Sequence, residues 1–159
     1  MNGLGATRLK LKLKKVKKKT YKSYRFTCRV SDYTQKMREQ FYPYGVKIIP
    51  NNLLQLLSPQ ALAVWYMDDG GTSWYKTKRG WKPLARIYTL GFTEDDHDLL
   101  VDYFNFQWNI IAHKTKHSAG TGFYLTFDCD ETQKFFKIIT PHVHRCMSYK
   151  VVHDEKHKS

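Results

Sequence analysis

"SPQALAVWYMDDGG", residues 58–71, is the segment on which the reading of the whole chain turns. Ser58 is a good helix N-cap, and Pro59 suits the first helical position, where a missing N–H leaves nothing unpaired. Leu62, Ala63, Trp65 and Tyr66 make the following turns apolar, and Gly70 with Gly71 ends them. A helix over about 59–69 therefore finishes in two carboxylates, Asp68 and Asp69. Carboxylates oppose the macrodipole at a helix C-terminus, so this end calls for a compensating charge. A hard divalent cation such as Mg²⁺ is the natural candidate. It takes oxygen ligands, often one or two carboxylates with phosphate and water. The plainer alternative is a pair of solvated acids before a Gly-Gly turn. Asp is common before turns, and on the two acids alone the plainer alternative is the stronger.

The bulk numbers limit what such a helix can serve. A chain of 159 residues makes one compact unit or two very small ones, and 42% hydrophobic residues is enough for a real core. The net charge of +13 favours a polyanionic partner, nucleic acid before membrane surface. Solubility alone is the weaker explanation, because the lysines recur inside segments that otherwise look folded. The three cysteines, Cys28, Cys129 and Cys146, have no metal-site spacing, and an odd count argues against a disulfide framework. A reducing intracellular compartment follows as the expectation, either an organelle or a bacterial cytoplasm. No apolar run is long enough to span a bilayer, and the N-terminus lacks the apolar core of a secretory signal. Lys10 to Lys19 is basic and acid-poor like a transit peptide, but it alternates with leucine as a strand does, and the strand reading is preferred.

Outward from the opening helix, the pattern is regular. Leu9, Leu11 and Leu13 alternate with lysines, and Tyr24, Phe26 and Cys28 alternate with Arg25, Thr27 and Arg29, giving two strands turned at Lys17–Lys19. Ser31 or Asp32 caps a short helix to about Tyr42, broken by Pro43 and Gly45. Residues 46–52 read as an extended connector. After the 59–69 helix come strands over about 72–79 and 84–92. A helix follows with Thr93 and Asp96 in capping-box spacing, and Leu99, Leu100, Tyr103, Phe104 and Trp108 form its apolar face. Two more strands, about 110–117 and 122–128, are split at Ser118–Gly120. Asp130 with Gln133 opens a last helix, stopped by Pro141. From residue 59 the order is helix, strand, strand, helix, strand, strand, helix.

A faint internal repeat accompanies this order. "SDYTQKMREQFYP" (31–43) lies over "CDETQKFFKIITP" (129–141), with Asp32 on Asp130, Thr34-Gln35-Lys36 on Thr132-Gln133-Lys134, and Pro43 on Pro141. A first copy in the same register would have its opening helix before Met1. The chain then holds the tail of one repeat with its connector (1–50), one complete repeat (51–152) and a short C-terminal tail (153–159).

The 58–71 segment resembles the second motif of LAGLIDADG homing endonucleases in its Leu-Ala-x-x-x-Met-Asp-Asp-Gly form. "KIIPNNLLQLLSPQALAVWYMDDGG" (47–71) is similar to the junction between the halves of monomeric, intron-encoded members, and "MSYK" (147–150) to their C-terminal segment. The likeness covers about residues 21–152. It implies an α+β fold, the αββαββα repeat with an antiparallel, saddle-shaped DNA-binding sheet, and site-specific, metal-dependent cleavage of both DNA strands in intron homing.

Residue by residue, the resemblance makes Asp69 the metal-binding catalytic acid, with Mg²⁺ as the cation, and Asp68 its neighbour. Lys150 and Lys47 match the basic residues placed near the scissile phosphate in the two halves. Leu62, Ala63, Trp65 and Tyr66 lie in the helix that pairs with a second motif helix, in a dimer or between repeats. Val64 stands where the motif has glycine. Strand residues with period-two spacing are candidate readers of DNA: Lys76 with Lys78, Arg86 with Tyr88, and Lys114 with Lys116. The face that meets DNA is left open. His113 and His117, four apart on a strand with no third ligand, read as surface rather than a metal pair, as do His142 and His144.

Family enzymes use two acids, one from each motif helix, and this chain offers one such helix. A homodimer, a complementary chain bearing the first motif, and an inactive truncated product are the three solutions. The partners implied are double-stranded DNA, with intron RNA for the competing reading, that of an RNA maturase or a decayed nucleic-acid-binding protein of the same fold. A ribosomal or chromatin-type basic protein explains the charge but not the acidic helix end.

Overall fold

The computed structural model describes residues 6–16, 19–118, 120 and 122–153. The chain divides into two compact units, Met1–Gln40 and Phe41–Ser159. In the first, strands β1 (Ala6–Val16) and β2 (Lys19–Cys28) pair antiparallel, with Leu9 opposite Phe26, Leu11 opposite Tyr24 and Leu13 opposite Lys22. The two alternating runs of the sequence thus form one hairpin. The expected turn lies partly outside the described residues, and Lys19 already belongs to β2. Helix α1 (Asp32–Phe41) follows, with Ser31 at its start: the Ser31 N–H donates to Thr34 Oγ1 at 2.9 Å and the Thr34 N–H to Ser31 Oγ at 3.3 Å.

The second unit opens at Phe41. Ile49 is buried, and its N–H donates to Asp96 Oδ1 at 2.9 Å, which ties the connector to the second unit's core. A one-turn helix α2 (Asn51–Leu54) interrupts the segment read as extended. Then come helix α3 (Pro59–Asp69), strands β3 (Gly70–Thr77) and β4 (Gly80–Ile87), helix α4 (Glu94–Trp108), strands β5 (His113–Lys116) and β6 (Phe123–Thr126), and helix α5 (Cys129–Ile139). This is the αββαββα order expected from the sequence. The four strands form one antiparallel sheet in the order β3-β4-β6-β5.

Local chemistry sets the helix starts. Ser58 Oγ accepts the Ala61 N–H at 3.2 Å, and Thr93 with Asp96 makes the full capping box. The start of α5 differs from the expectation at Asp130. Asp128 is the cap, and its carboxylate accepts the N–H groups of Asp130 and Glu131. Any of three nearby acids could cap this helix by sequence; Phe127 belongs to the core, which fixes the entry at Asp128, ahead of Asp130.

The core lies between the three helices and one face of the sheet. Leu62, Ala63 and Tyr66 from α3, Leu100 and Phe104 from α4, and Phe135 and Ile139 from α5 are fully buried against Ala85, Ile87, Leu125 and Phe127. The Phe127 and Phe135 rings stack at 5.1 Å, and Tyr66 meets Phe135 edge-on at 5.3 Å. The buried His97 is paired on both ring nitrogens. His97 Nδ1 donates to the Thr93 carbonyl at 2.6 Å, and its Nε2 lies 2.8 Å from the Thr89 hydroxyl.

Tyr66 is the largest fully buried side chain that titrates, and burial pushes its phenol up to about 12. Between its ordinary value of 10.0 and 12 the unfolded chain ionises there and the folded chain does not. The folded state then holds the extra proton, so stability declines as pH rises through that window, by up to about 3 kcal/mol from this group. An ultraviolet titration should show one phenol that ionises only as the fold is lost, and Tyr66→Phe should remove it. All eleven tyrosines ionising near pH 10 in a still-folded chain would refute this.

Candidate nucleic-acid interface and acidic helix end

The acidic end of α3 is fixed by three pieces of the chain, one adjacent and two distant in sequence. Gly70 turns the chain from helix to strand, and its N–H caps the Tyr66 carbonyl. A side chain there is impossible without movement, because a Cβ would collide with the Tyr66 ring and carbonyl oxygen. The Tyr88 N–H, just past the end of β4, donates to the Asp69 carbonyl at 3.0 Å and holds the last helical residue in place. The third piece is the 3₁₀ helix Arg145–Lys150. Lys150 Nζ donates to the carbonyls of Met67 at 2.6 Å and Gly70 at 2.7 Å, and sits 3.4 and 3.5 Å from those of Tyr66 and Asp68. Thr72 Oγ1 donates to the Lys150 carbonyl. Tyr66 therefore donates its hydroxyl proton to Thr72, at 2.6 Å.

The compensating charge that the helix end requires is therefore Lys150, already in the chain. Its ammonium meets the exposed carbonyls that make a helix C-terminus negative. Burial pushes Lys150 below the ordinary lysine range, and the charges of Asp68 and Asp69 partly oppose that shift. Asp68 and Asp69 themselves are exposed. Lys47, the other basic residue of the expected site, has its Nζ 4.1 Å from the centre of the Phe92 ring, a cation–π contact.

Strand register divides the remaining candidates between the two faces of the sheet. Directly opposed residues of an antiparallel pair share a face, and successive residues alternate. Ala85 and Ile87 are buried under the helices, so Arg86 and Tyr88 point away from them. Trp74 reaches Phe136 of α5, which puts Lys76 on the helix-bearing side. Lys114 opposes the buried Leu125, and Lys116 opposes Phe123, which places both on the helix-bearing side as well. Lys114 is engaged there: its Nζ lies 2.6 Å from Asp98 and 3.2 Å from Glu94 of α4, and those bonds push its pKa up, Asp98 foremost. Lys78 sits in the turn joining β3 to β4. Of the six expected readers, the outer face therefore carries Arg86 and Tyr88. Alternation identifies two faces, and only packing says which is which.

Further residues, not among the expected readers, complete the outer face. Ser73 and Tyr75 alternate with Trp74, and Thr126 alternates with Leu125. A tryptophan or leucine marking the inner side was the available signal. Gly71, Arg86, Thr126 and His113 form one row across all four strands. Arg86 Nη2 donates to Ser73 Oγ at 2.8 Å.

The apolar face of α3 also sorts differently from its expected role. Leu62, Ala63 and Tyr66 are at 0% exposure inside this unit's own core, so they present no surface to a partner helix. Trp65 packs beside that core, lining an apolar cavity of about 220 Å³ with Leu57, Phe92 and Leu100. The outward stripe is Gln60, Val64 and Asp68, with Val64 at 56% exposure, the position where the resembled motif has glycine. One apolar run fills both the core and the neighbouring turns, and composition alone does not assign its sides.

Metal-binding capacity is limited to part of a shell. No group of three histidine, cysteine or acidic side chains is placed to hold a metal among the described residues. Asp69 offers one exposed carboxylate, which suits Mg²⁺ when phosphate and water complete the coordination.

An acid-tipped helix abutting an antiparallel sheet with an arginine-bearing outer face, in a strongly basic chain, defines a class of nucleic-acid-directed protein. Residues 2–135 match the model of the LAGLIDADG DNA endonuclease family, and the chain belongs to that family. The cytochrome b mRNA maturase bI2 of Debaryomyces hansenii is 31% identical over 133 residues, 84% of this chain and 48% of that protein. DNA endonuclease I-ChuI of Chlamydomonas applanata is 27% identical, over 71% of this chain and 54% of that protein. The chain thus spans about half the length of each. The structure of the homing endonuclease I-WcaI bound to its DNA recognition sequence has the same fold, with a TM-score of 0.78 at 21% identity, covering 93% of this chain and 65% of that one.

Proposed function

We propose that this chain is one working half of a site-specific, double-strand DNA endonuclease of intron homing, dependent on a divalent cation, Mg²⁺ foremost. The observation that carries the reading is the exposed carboxylate of Asp69 at a helix end fixed on three sides, next to the outer sheet face. Asp69 would hold the cation, with phosphate oxygens and water as its other ligands. When bound, that cation supplies a more acidic water and charge stabilisation at the leaving oxygen. The chain's own residues orient the acid. Lys150 and Gly70 set the helix end, and Tyr88 ties it to the sheet. Residues 1–50 are read as the tail of a first repeat, 51–152 as a complete one and 153–159 as a tail. Cutting both strands then calls for a second acid, from a second motif helix.

The test is a randomised plasmid library exposed to the protein with Mg²⁺ and, in parallel, with Ca²⁺. The expected result is cleavage at one enriched sequence with Mg²⁺. A second reading, an RNA maturase, is favoured by the 31% identity to the Debaryomyces hansenii maturase. A chain that cuts nothing but binds its host intron RNA decides for that reading.

A further inference from the structure

We infer that Arg86, clamped by Ser73, reads a guanine within about three base pairs of the cleaved phosphate and sets base preference at that one position; this rests on the endonuclease reading above. Arg86 lies on β4, flanked on both sides by paired strands, with Gly71 opposite it on β3 and Thr126 opposite it on β6. It is the one arginine or lysine in that row. Gly71 brings no side chain, and even a Cβ there would lie 3.8 Å from Arg86 Cγ and 3.4 Å from the Tyr88 ring. The row therefore has a floor low enough for a base edge to approach the guanidinium.

Two features distinguish Arg86 from a solvated surface arginine. Its Nη2 donates to Ser73 Oγ at 2.8 Å, which fixes the plane of the fork. Its Nε is buried without a hydrogen-bond partner, so the stem is embedded rather than free to follow a phosphate. Of the five guanidinium donors, one goes to Ser73 and one is buried. Three remain, enough for the two parallel bonds that guanine O6 and N7 accept in the major groove. A lysine would give a mobile point charge instead of a fork.

Position supplies the rest. Gly71 is two residues beyond Asp69, about 7 Å along the strand, and Arg86 is one strand spacing of about 4.8 Å further across. With base pairs stacked about 3.4 Å apart, the row falls within about three base pairs of a phosphate held at the acid.

Binding selection with the full chain, on randomised duplex and without cleavage, tests this. The parent should enrich a site with guanine strongly preferred at one position near its cleavage end. Arg86→Gln and Arg86→Lys should lose that preference, roughly ten- to a hundredfold, and keep the preferences elsewhere. Ser73→Ala should weaken it while leaving the arginine in place, which guards against a misfolded Arg86 variant. Replacing that guanine by 7-deazaguanine should cost the parent affinity and leave Arg86→Gln unmoved. If instead Arg86→Gln weakens all sequences equally, with a salt slope shallower by about 0.9, the residue contacts phosphate and the inference is overturned. A parent site whose profile survives both Arg86 variants overturns it too, with DNA recognition left standing. A parent that enriches no duplex at all overturns the endonuclease reading and this inference with it.

Discussion

Asp69→Asn should abolish Mg²⁺-dependent cleavage, by about a thousandfold or more, and leave DNA affinity within about twofold of the parent or slightly tighter. The amide keeps the shape of the side chain and cannot supply the charge that holds a divalent cation. Removing one preorganised charge or donor at a reacting centre commonly costs about 10² to 10³ in rate, and losing a nucleophile-generating ion costs more. Affinity survives because most of it comes from phosphate contacts made elsewhere on a chain of net charge +13. The variant removes one carboxylate that repels phosphate, so a small gain is the expected direction. Asp68→Asn should do less. Asp68 lies on the outward stripe of α3 with Gln60 and Val64, whereas Asp69 is the residue tied to Tyr88. Single-turnover cleavage beside a gel-shift titration measures both. An Asp69→Asn protein that cuts like its parent removes Asp69 from the chemistry.

Lys150→Met should lower stability by about 2 kcal/mol and slow cleavage more than it weakens binding. Methionine fills the same space without donors. It leaves the Met67 and Gly70 carbonyls short of their ammonium partner and two carboxylates beside them without a cation. A charged hydrogen bond contributes about 1.5–3 kcal/mol and a cation at a helix C-terminus about 0.3–1 kcal/mol. Lys150 is only partly buried, so solvent screening reduces the sum. For a unit of this size the melting temperature should fall by roughly 5–10 °C. Lys150→Arg separates charge from geometry, since it keeps the cation but presents a planar fork to carbonyls that converge on a point. It should recover part of the stability and little of the cleavage. Hydrogen exchange at the end of α3 should accelerate in Lys150→Met. Unchanged exchange and melting there would show that the carbonyl contacts carry no weight.

The local chemistry of this chain was legible from its residues. Ser58-Pro59 starts α3, Thr93 and Asp96 box the start of α4, and glycines after Asp69 end the motif helix, because each of these depends on backbone groups within four residues. The order of seven elements followed from periodicity for the same reason, and the two acids at 68 and 69 marked the candidate site through their conflict with the helix dipole. What the sequence left undetermined was direction. Leu62, Ala63 and Tyr66 turn into their own core, although an apolar helix is equally suited to a partner. Lys114 is held by Asp98 and Glu94 on the inner side, whereas Arg86 stands on the outer face with Ser73. Alternation fixes only that neighbours face opposite ways, and the packing of α5 on Trp74 and β4 decides which way is in. Lys150 was placed in the site by its motif, but its partners are carbonyls some eighty residues earlier in the chain. A backbone carbonyl carries no signature in a sequence, so only the tertiary structure could show that the helix end draws its compensating charge from the chain's own C-terminal segment.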